Sequence, residues 1–118
     1  MRQTFVIPGR FMSFNKYLDL HWTDQNATKQ EYDRLVWAYA KQARIKPPRT
    51  AVKIHILWVE KNRKRDLDNI FFGVKFIQDG LVKAQVLHND TYREVKGISH
   101  EIAFDSQNPR IEVTIEEV

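Results

Sequence analysis

The sequence predicts a single α+β domain over residues 1–118, with elements in the order β-α-β-α-β-β and two helices packed on a mixed sheet. Three observations support this prediction. The chain has 118 residues, which is the usual size of one domain. One segment alternates strongly between apolar and polar residues, as a strand does. Two further segments have helical periodicity, and no repeat or linker divides them.

The first half of the chain predicts a strand, a loop and a helix. Residues 2–7 form a short predicted strand that a Pro-Gly pair closes. Residues 10–25 lack clear periodicity and are predicted to form a loop. Residues 26–45 are predicted to be helical because apolar residues recur at three- to four-residue spacing. Pro47 and Pro48 are expected to end this helix.

The second half predicts a strand, a helix and two further strands. Residues 51–60 alternate and are predicted to form a strand, followed by a basic turn at 61–65. Residues 67–82 carry a helical core stripe, and residues 92–104 and 109–116 are predicted strands joined by a polar connection. On the strand, the residues expected to face the core are Val52, Ile54, Ile56 and Trp58. On the helix, they are Ile70, Val74, Ile77 and Leu81.

Composition narrows the class of protein. The chain has a formal net charge of +4 and no cysteine, which excludes disulfides and thiolate zinc sites. Its four histidines lack the spacing of zinc ligands. No apolar run is long enough to span a membrane, and the N-terminus lacks a signal-peptide pattern. Cytoplasmic residence is therefore the default expectation.

Four aspartates and a lysine surround the second predicted helix: Asp66, Asp68, Lys75, Asp79 and Asp90. Two carboxylates about 6 Å apart repel by roughly 3 kcal/mol at an effective dielectric constant of about 20. A divalent cation would remove this repulsion, and carboxylate oxygens suit Mg²⁺ or Mn²⁺. An acidic site in a basic protein points to metal-dependent cleavage of a polyanion.

Each of these residues also has a purely structural interpretation. Asp66 or Asp68 is a favourable helix cap, although one cap does not explain both residues. Lys75 and Asp79 share a predicted helix face with Asp68. Either Lys75 binds a phosphate oxygen near the metal ion, or Lys75 and Asp79 form a solvated ion pair. Asp90 precedes a predicted strand, where turn residues are common.

The acidic segments resemble the RusA-type Holliday-junction resolvases of bacteria and their phages. The resemblance is close over residues 60–95. Three segments carry it, in this order: Arg65-Asp66-Leu67-Asp68-Asn69, Lys75-Phe76-Ile77-Gln78-Asp79-Gly80-Leu81 and Asn89-Asp90.

The resemblance implies a Mg²⁺-dependent homodimeric endonuclease that cuts four-way DNA junctions by paired nicks, and it favours a phage or prophage origin. It implies that Asp66, Asp68 and Asp90 bind the metal ion. The chain departs from the family pattern at Phe72, where the best-known branch has its lysine, so Lys75 is the nearest candidate for that role.

Basic and aromatic residues supply candidate DNA contacts. The basic turn carries the predicted phosphate-binding residues Lys61, Arg63, Lys64 and Arg65, which alternatively form a solvated surface. Tyr17, His21 and Trp22 would stack on exposed bases or pack against the protein. A non-catalytic binder of branched or single-stranded DNA is the rival function. An enzyme of phosphorylated metabolites ranks last, because no glycine-rich phosphate loop is present.

Overall fold

A computed structural model describes all 118 residues and shows four strands and four helices. The strands are β1 (Arg2–Pro8), β2 (Val52–Glu60), β3 (Val95–Phe104) and β4 (Arg110–Glu117), and the helices are α1 (Phe14–Leu18), α2 (Trp22–Gln42), α3 (Leu67–Phe71) and α4 (Val74–Lys83).

The strands form one mixed sheet in the order β1-β4-β2-β3. β4 lies antiparallel between β1 and β2, whereas β3 pairs parallel with β2. A parallel pair needs a long crossover, and α3 and α4 provide it. The α+β class and the order of the predicted elements are confirmed.

The core lies between one face of the sheet and the helices. Alternation along β2 points Ile54, Ile56 and Trp58 inward, and Phe76 and Leu81 of α4 are buried against them in one cluster. The opposite face of the sheet carries partly exposed polar side chains. α2 packs on α4 at Gly80, where an added Cβ would lie 2.4 Å from Val36 Cβ. The helices therefore approach more closely than any larger residue would permit.

The N-terminal segment contains more helix than the sequence indicated. The predicted loop at 10–25 contains α1, capped by Ser13 Oγ, and the first turn of α2, where His21 occupies the cap position. α2 ends at Gln42, before the two prolines. Arg44 adopts a left-handed φ of 58°, which turns the chain out of the helix.

The second predicted helix is interrupted. α3 ends at Phe71 and α4 begins at Val74, because the Gly73 N–H bonds to the Ile70 carbonyl in a tighter 3₁₀-type turn. An added Cβ at Gly73 would lie 2.8 Å from the Phe11 ring. Asp68 on α3 therefore does not share one continuous helix face with Lys75 and Asp79 on α4, contrary to the prediction.

Candidate active site

Asp66 and Asp68 lie at the start of α3 and are both exposed. Asp66 occupies the cap position in an extended conformation (φ −73°, ψ 158°), yet its side chain makes no capping hydrogen bond. Neither carboxylate takes part in an ion pair. Both groups therefore have free oxygen atoms, so a hydrogen-bonded cap does not account for Asp66.

The following residue of the motif, Asn69, has a structural role. Asn69 is buried, and its Oδ1 accepts a hydrogen bond of 2.9 Å from the Asn15 N–H. Phe72 adds ring contacts to α1, with centroids 4.8 Å from Phe14 and 5.0 Å from Tyr17. Together these contacts brace α3 against α1 and hold the aspartates at a defined place.

A buried carboxylate anchors the segment before the aspartates. Glu60 is only 2% exposed, and its Oε1 lies 2.9 Å from Arg10 Nη1 and 3.8 Å from Arg65 Nη1. Arg65 also donates a 2.8 Å hydrogen bond to the Phe11 carbonyl. Burial, together with the charge of Arg10, lowers the pKa of Arg65. Arg65 thus fixes the turn that carries Asp66.

The other basic residues of the turn are exposed. Lys61 and Lys64 form no ion pair, and the Arg63 guanidinium lies 4.2 Å from the centre of the Phe104 ring. Three of the four predicted phosphate contacts therefore remain accessible beside the aspartates, whereas Arg65 faces inward.

Lys75 lies near the start of α4, with 61% of its side chain exposed. Its Nζ is 3.9 Å from Asp79 Oδ2, so the two residues form the anticipated pair at the limit of an ion-pair distance. Solvated pairs of this kind contribute only a few tenths of a kcal/mol (roughly 0.3–0.5). The ammonium is therefore available to another partner.

Asp90 lies at the other end of α4. It lines an open pocket of about 450 Å³ with, among others, Lys29, Asp33, Asp79 and Lys83. This pocket extends along α4 to Asp79 and includes neither Asp66 nor Asp68. Asn89 acts as a turn residue, since its Oδ1 accepts a 2.7 Å hydrogen bond from the Asp90 N–H.

The three predicted metal ligands are consequently not brought together within one chain. No group of three or more Asp, Glu, His or Cys side chains is close enough to hold a metal ion. The chemistry of Asp66 and Asp68 nevertheless fits Mg²⁺, because both present free carboxylate oxygens to solvent. One chain supplies these two carboxylates and no third one close enough to share an ion with them.

Sequence reasoning missed a charged network behind the pocket. Lys29 Nζ lies 2.8 Å from Asp33 Oδ2 and 3.1 Å from Asp79 Oδ2. The four-residue spacing of Lys29 and Asp33 is a signal for a helical pair. The burial of Asp33 had no signal in the sequence, because it depends on the packing of α2 on α4.

The three candidate stacking residues have different surroundings. Tyr17 packs against Phe72 and Phe76, and His21 Nδ1 accepts a hydrogen bond from the Thr23 N–H at the start of α2. Trp22 is 65% exposed. Packing thus accounts for Tyr17, while Trp22 remains free to contact another molecule.

Asp66 and Asp68 thus lie beside an exposed basic turn on a small α+β domain, and the basic charges of this turn suit a polyanionic partner. The sequence matches the family model described as Endodeoxyribonuclease RusA over residues 9–116. The chain therefore belongs to the RusA endodeoxyribonuclease family and is a DNA nuclease. A comparison with curated proteins gave no match. None of its helices is both long and apolar enough to cross a membrane.

Proposed function

We propose that this protein is a Mg²⁺-dependent endodeoxyribonuclease that resolves four-way and other branched DNA junctions by paired symmetric nicks during recombination and repair. The observation that carries the proposal is the pair of free carboxylates, Asp66 and Asp68, at a braced helix start next to an accessible basic turn. Mn²⁺ is expected to substitute for Mg²⁺. A phage or prophage origin and cytoplasmic residence remain predictions.

Asp66, Asp68 and Asp90 are the proposed metal ligands. A bound divalent cation would offset the charge of the scissile phosphate and activate the attacking water. Lys75, with its exposed ammonium, is proposed to bind a phosphate oxygen and to stabilise charge that develops there. Lys61, Arg63 and Lys64 would hold neighbouring phosphates, and this electrostatic affinity should fall steeply with salt.

The position of Asp90 favours a homodimer. Asp66, Asp68 and Asp90 do not form a group close enough to hold one ion within a single chain. A two-fold axis that sets the start of α3 against the partner's loop after α4 would assemble two equivalent sites. Each site would take Asp66 and Asp68 from one protomer and the third carboxylate from the other. Two sites related by symmetry are also what paired nicks require.

A non-catalytic binder of branched or single-stranded DNA is the alternative. Two observations favour it: Trp22 is exposed and free to stack on a base, and no three-carboxylate group exists within one chain. This alternative assigns the aspartates no role in activity.

Cleavage of a labelled four-way junction, beside a linear duplex of the same arms, tests the proposal. The reactions contain Mg²⁺ or EDTA. We expect paired nicks that require Mg²⁺ and are lost in Asp68→Asn, while this variant still shifts the junction in a gel. Asp24→Asn is the matched control, because Asp24 is also an exposed aspartate in the first turn of a helix. Junction binding without cleavage by the unmodified protein would instead establish the binding module.

A further inference from the structure

Two lysines compete for one carboxylate oxygen in the charged network between α2 and α4. Lys29 Nζ lies 3.1 Å from Asp79 Oδ2, and Lys75 Nζ lies 3.9 Å from the same atom. Lys29 also makes a 2.8 Å hydrogen bond to Asp33 Oδ2. Asp79 therefore has its closer contact with Lys29, from the neighbouring helix, rather than with Lys75 on its own helix.

Burial explains why Lys29 stays in this place. The Asp33 side chain is only 9% exposed, its Oδ1 has no hydrogen-bond partner, and Lys29 is the one cationic group within 4 Å of it. Removing the cation from a buried carboxylate is costly. Hydrogen bonding to Asp33, the largest cause, raises the pKa of Lys29, so its ammonium remains charged.

The close packing of the helices keeps the network fixed. An added Cβ at Gly80 would lie 3.0 Å from the Asp33 carbonyl oxygen, so α2 and α4 are in direct contact next to Asp79. Lys29 thus reaches Asp79 from a rigid base, whereas Lys75 extends from the exposed side of α4.

We propose that Lys29 is a positioning residue of the nuclease, which holds Asp79 so that the Lys75 ammonium is free to bind a DNA phosphate. This inference rests on the proposed function. Without Lys29, Lys75 would be the one cation left within 4 Å of the Asp79 carboxylate. The two residues, one helical turn apart, would then close to a tight ion pair. Lys75 would be drawn away from the phosphate.

A purely structural role predicts a different pattern. If the only role of Lys29 is to connect α2 to α4, its removal lowers the stability of the protein. Loss of Asp79, which belongs to the same contact, would then not restore it. If Lys29 keeps Lys75 free, neutralising Asp79 releases Lys75 again and restores cleavage. Rescue by a second substitution in the network therefore separates the two roles.

The experiment is single-turnover junction cleavage with Mg²⁺ in an Asp33→Asn background. That background removes the buried charge, so loss of Lys29 does not leave an unpaired carboxylate in the protein interior. Four proteins are compared: Asp33→Asn alone, Asp33→Asn with Lys29→Met, the same pair with Asp79→Asn, and Asp33→Asn with Lys83→Met. Lys83 is the control, since it lines the same pocket and forms no ion pair.

We expect Lys29→Met to lower the cleavage rate at saturating DNA about tenfold, which is the scale of one lost charged contact in the transition state. Adding Asp79→Asn should restore the rate to within about twofold of the background, and Lys83→Met should leave it unchanged.

Other results would overturn the inference. If Lys29→Met cleaves like its background, or if Asp79→Asn fails to restore the rate in a protein that melts like the background, Lys29 does not act through Lys75. In that case the proposed function stands, because the background enzyme cuts. If the unmodified protein does not cut junctions with Mg²⁺, both the proposed function and the inference fail.

Discussion

Single side chains around the candidate site divide into those that hold the site and those that are free to act. Asn69 and Arg65 belong to the first group, since both are engaged by backbone groups of the segment before α2. Asp66, Asp68 and Lys75 belong to the second group, because no short contact occupies them. A motif that looks uniform in sequence therefore contains both structural and candidate catalytic residues.

His100 is expected to make the stability of the protein dependent on pH. Its Nδ1 accepts a 3.0 Å hydrogen bond from Trp58 Nε1–H, and its ring stacks on Phe71 of α3 with centroids 4.4 Å apart. Burial, and then the neighbouring His55, lowers the pKa of His100. The His100 ring consequently binds a proton less readily in the folded state than in the unfolded state. In the unfolded state the pKa of a histidine is about 6.5. The stabilisation that neutral His100 contributes to the folded state is complete above this pH. It is lost as the pH falls through the lower pKa of the folded state.

We therefore expect the free energy of unfolding to decrease between about pH 7.5 and pH 5.5, and to decrease less in His100→Gln. Urea unfolding of both proteins across this range measures the difference. Equal slopes for the two proteins would show that His100 does not titrate in this way.

The types of the candidate site residues could be read from the sequence, but the directions of their side chains could not. The Asp-x-Asp-Asn string predicted an acidic site, and Asp66 and Asp68 are indeed exposed at a helix start. Arg65 looked like its basic neighbours, because only the folded chain places it beside the buried Glu60. A signal for Glu60 was present: the alternation of β2 points position 60 inward, where a carboxylate needs a cation.

At the scale of elements, close tertiary contacts determine helix boundaries that the periodicity of the sequence did not predict. The core stripe of the second helix was predicted correctly, yet the interruption before α4 follows the approach of Phe11 and Trp58 to Gly73. α1 was missed because five residues show too little periodicity to be distinguished from a loop. Its function is to brace α3, which is a tertiary property.

Gly80 should be the residue of α4 least able to accept a side chain. An added Cβ would meet Val36 Cβ at 2.4 Å, and overpacking of this kind costs about 1–3 kcal/mol. We expect Gly80→Ala to lower the free energy of unfolding by that amount in urea titrations. Gly97→Ala is the matched control, since Gly97 lies in β3 with no atom within 4 Å of an added Cβ. Equal stability of the two variants would contradict the tight α2–α4 contact.

At the scale of the whole molecule, the residue that anchors the basic turn is buried, and the lysines proposed to contact DNA are exposed. The basic turn leaves β2 at the end where Glu60 is buried, and it carries Lys61 and Lys64 into solvent beside the aspartates. The open face of the sheet also has an exposed lysine, Lys53, but it lies on another part of the surface.

We expect Lys61→Ala with Lys64→Ala to weaken junction binding and to reduce the slope of log K against log salt by about 2, as two lost phosphate contacts would. Fluorescence anisotropy at several KCl concentrations, in EDTA, measures the slope. Lys53→Ala is the control and should leave it unchanged. A slope that responds to Lys53 and not to the turn would place the DNA on the other face of the sheet.

The homodimer is a proposal, whereas the topology of the sheet is visible in one chain. The order of elements predicted the mixed sheet, because α3 and α4 provide the crossover between the parallel strands β2 and β3. The same crossover leaves Asp90 in a pocket that includes neither Asp66 nor Asp68, an arrangement that was not visible in the linear motif.

Complementation between two inactive variants tests the central claim, a metal site shared by two protomers, most directly. Asp68→Asn and Asp90→Asn are each assayed alone on a four-way junction with Mg²⁺, and then after mixing and re-equilibration of the subunits. If the sites form between protomers, each mixed dimer has one site with both substitutions and one intact site. We therefore predict that neither variant nicks alone and that the mixture introduces single nicks. An inactive mixture that still forms mixed dimers on the junction would contradict the shared site.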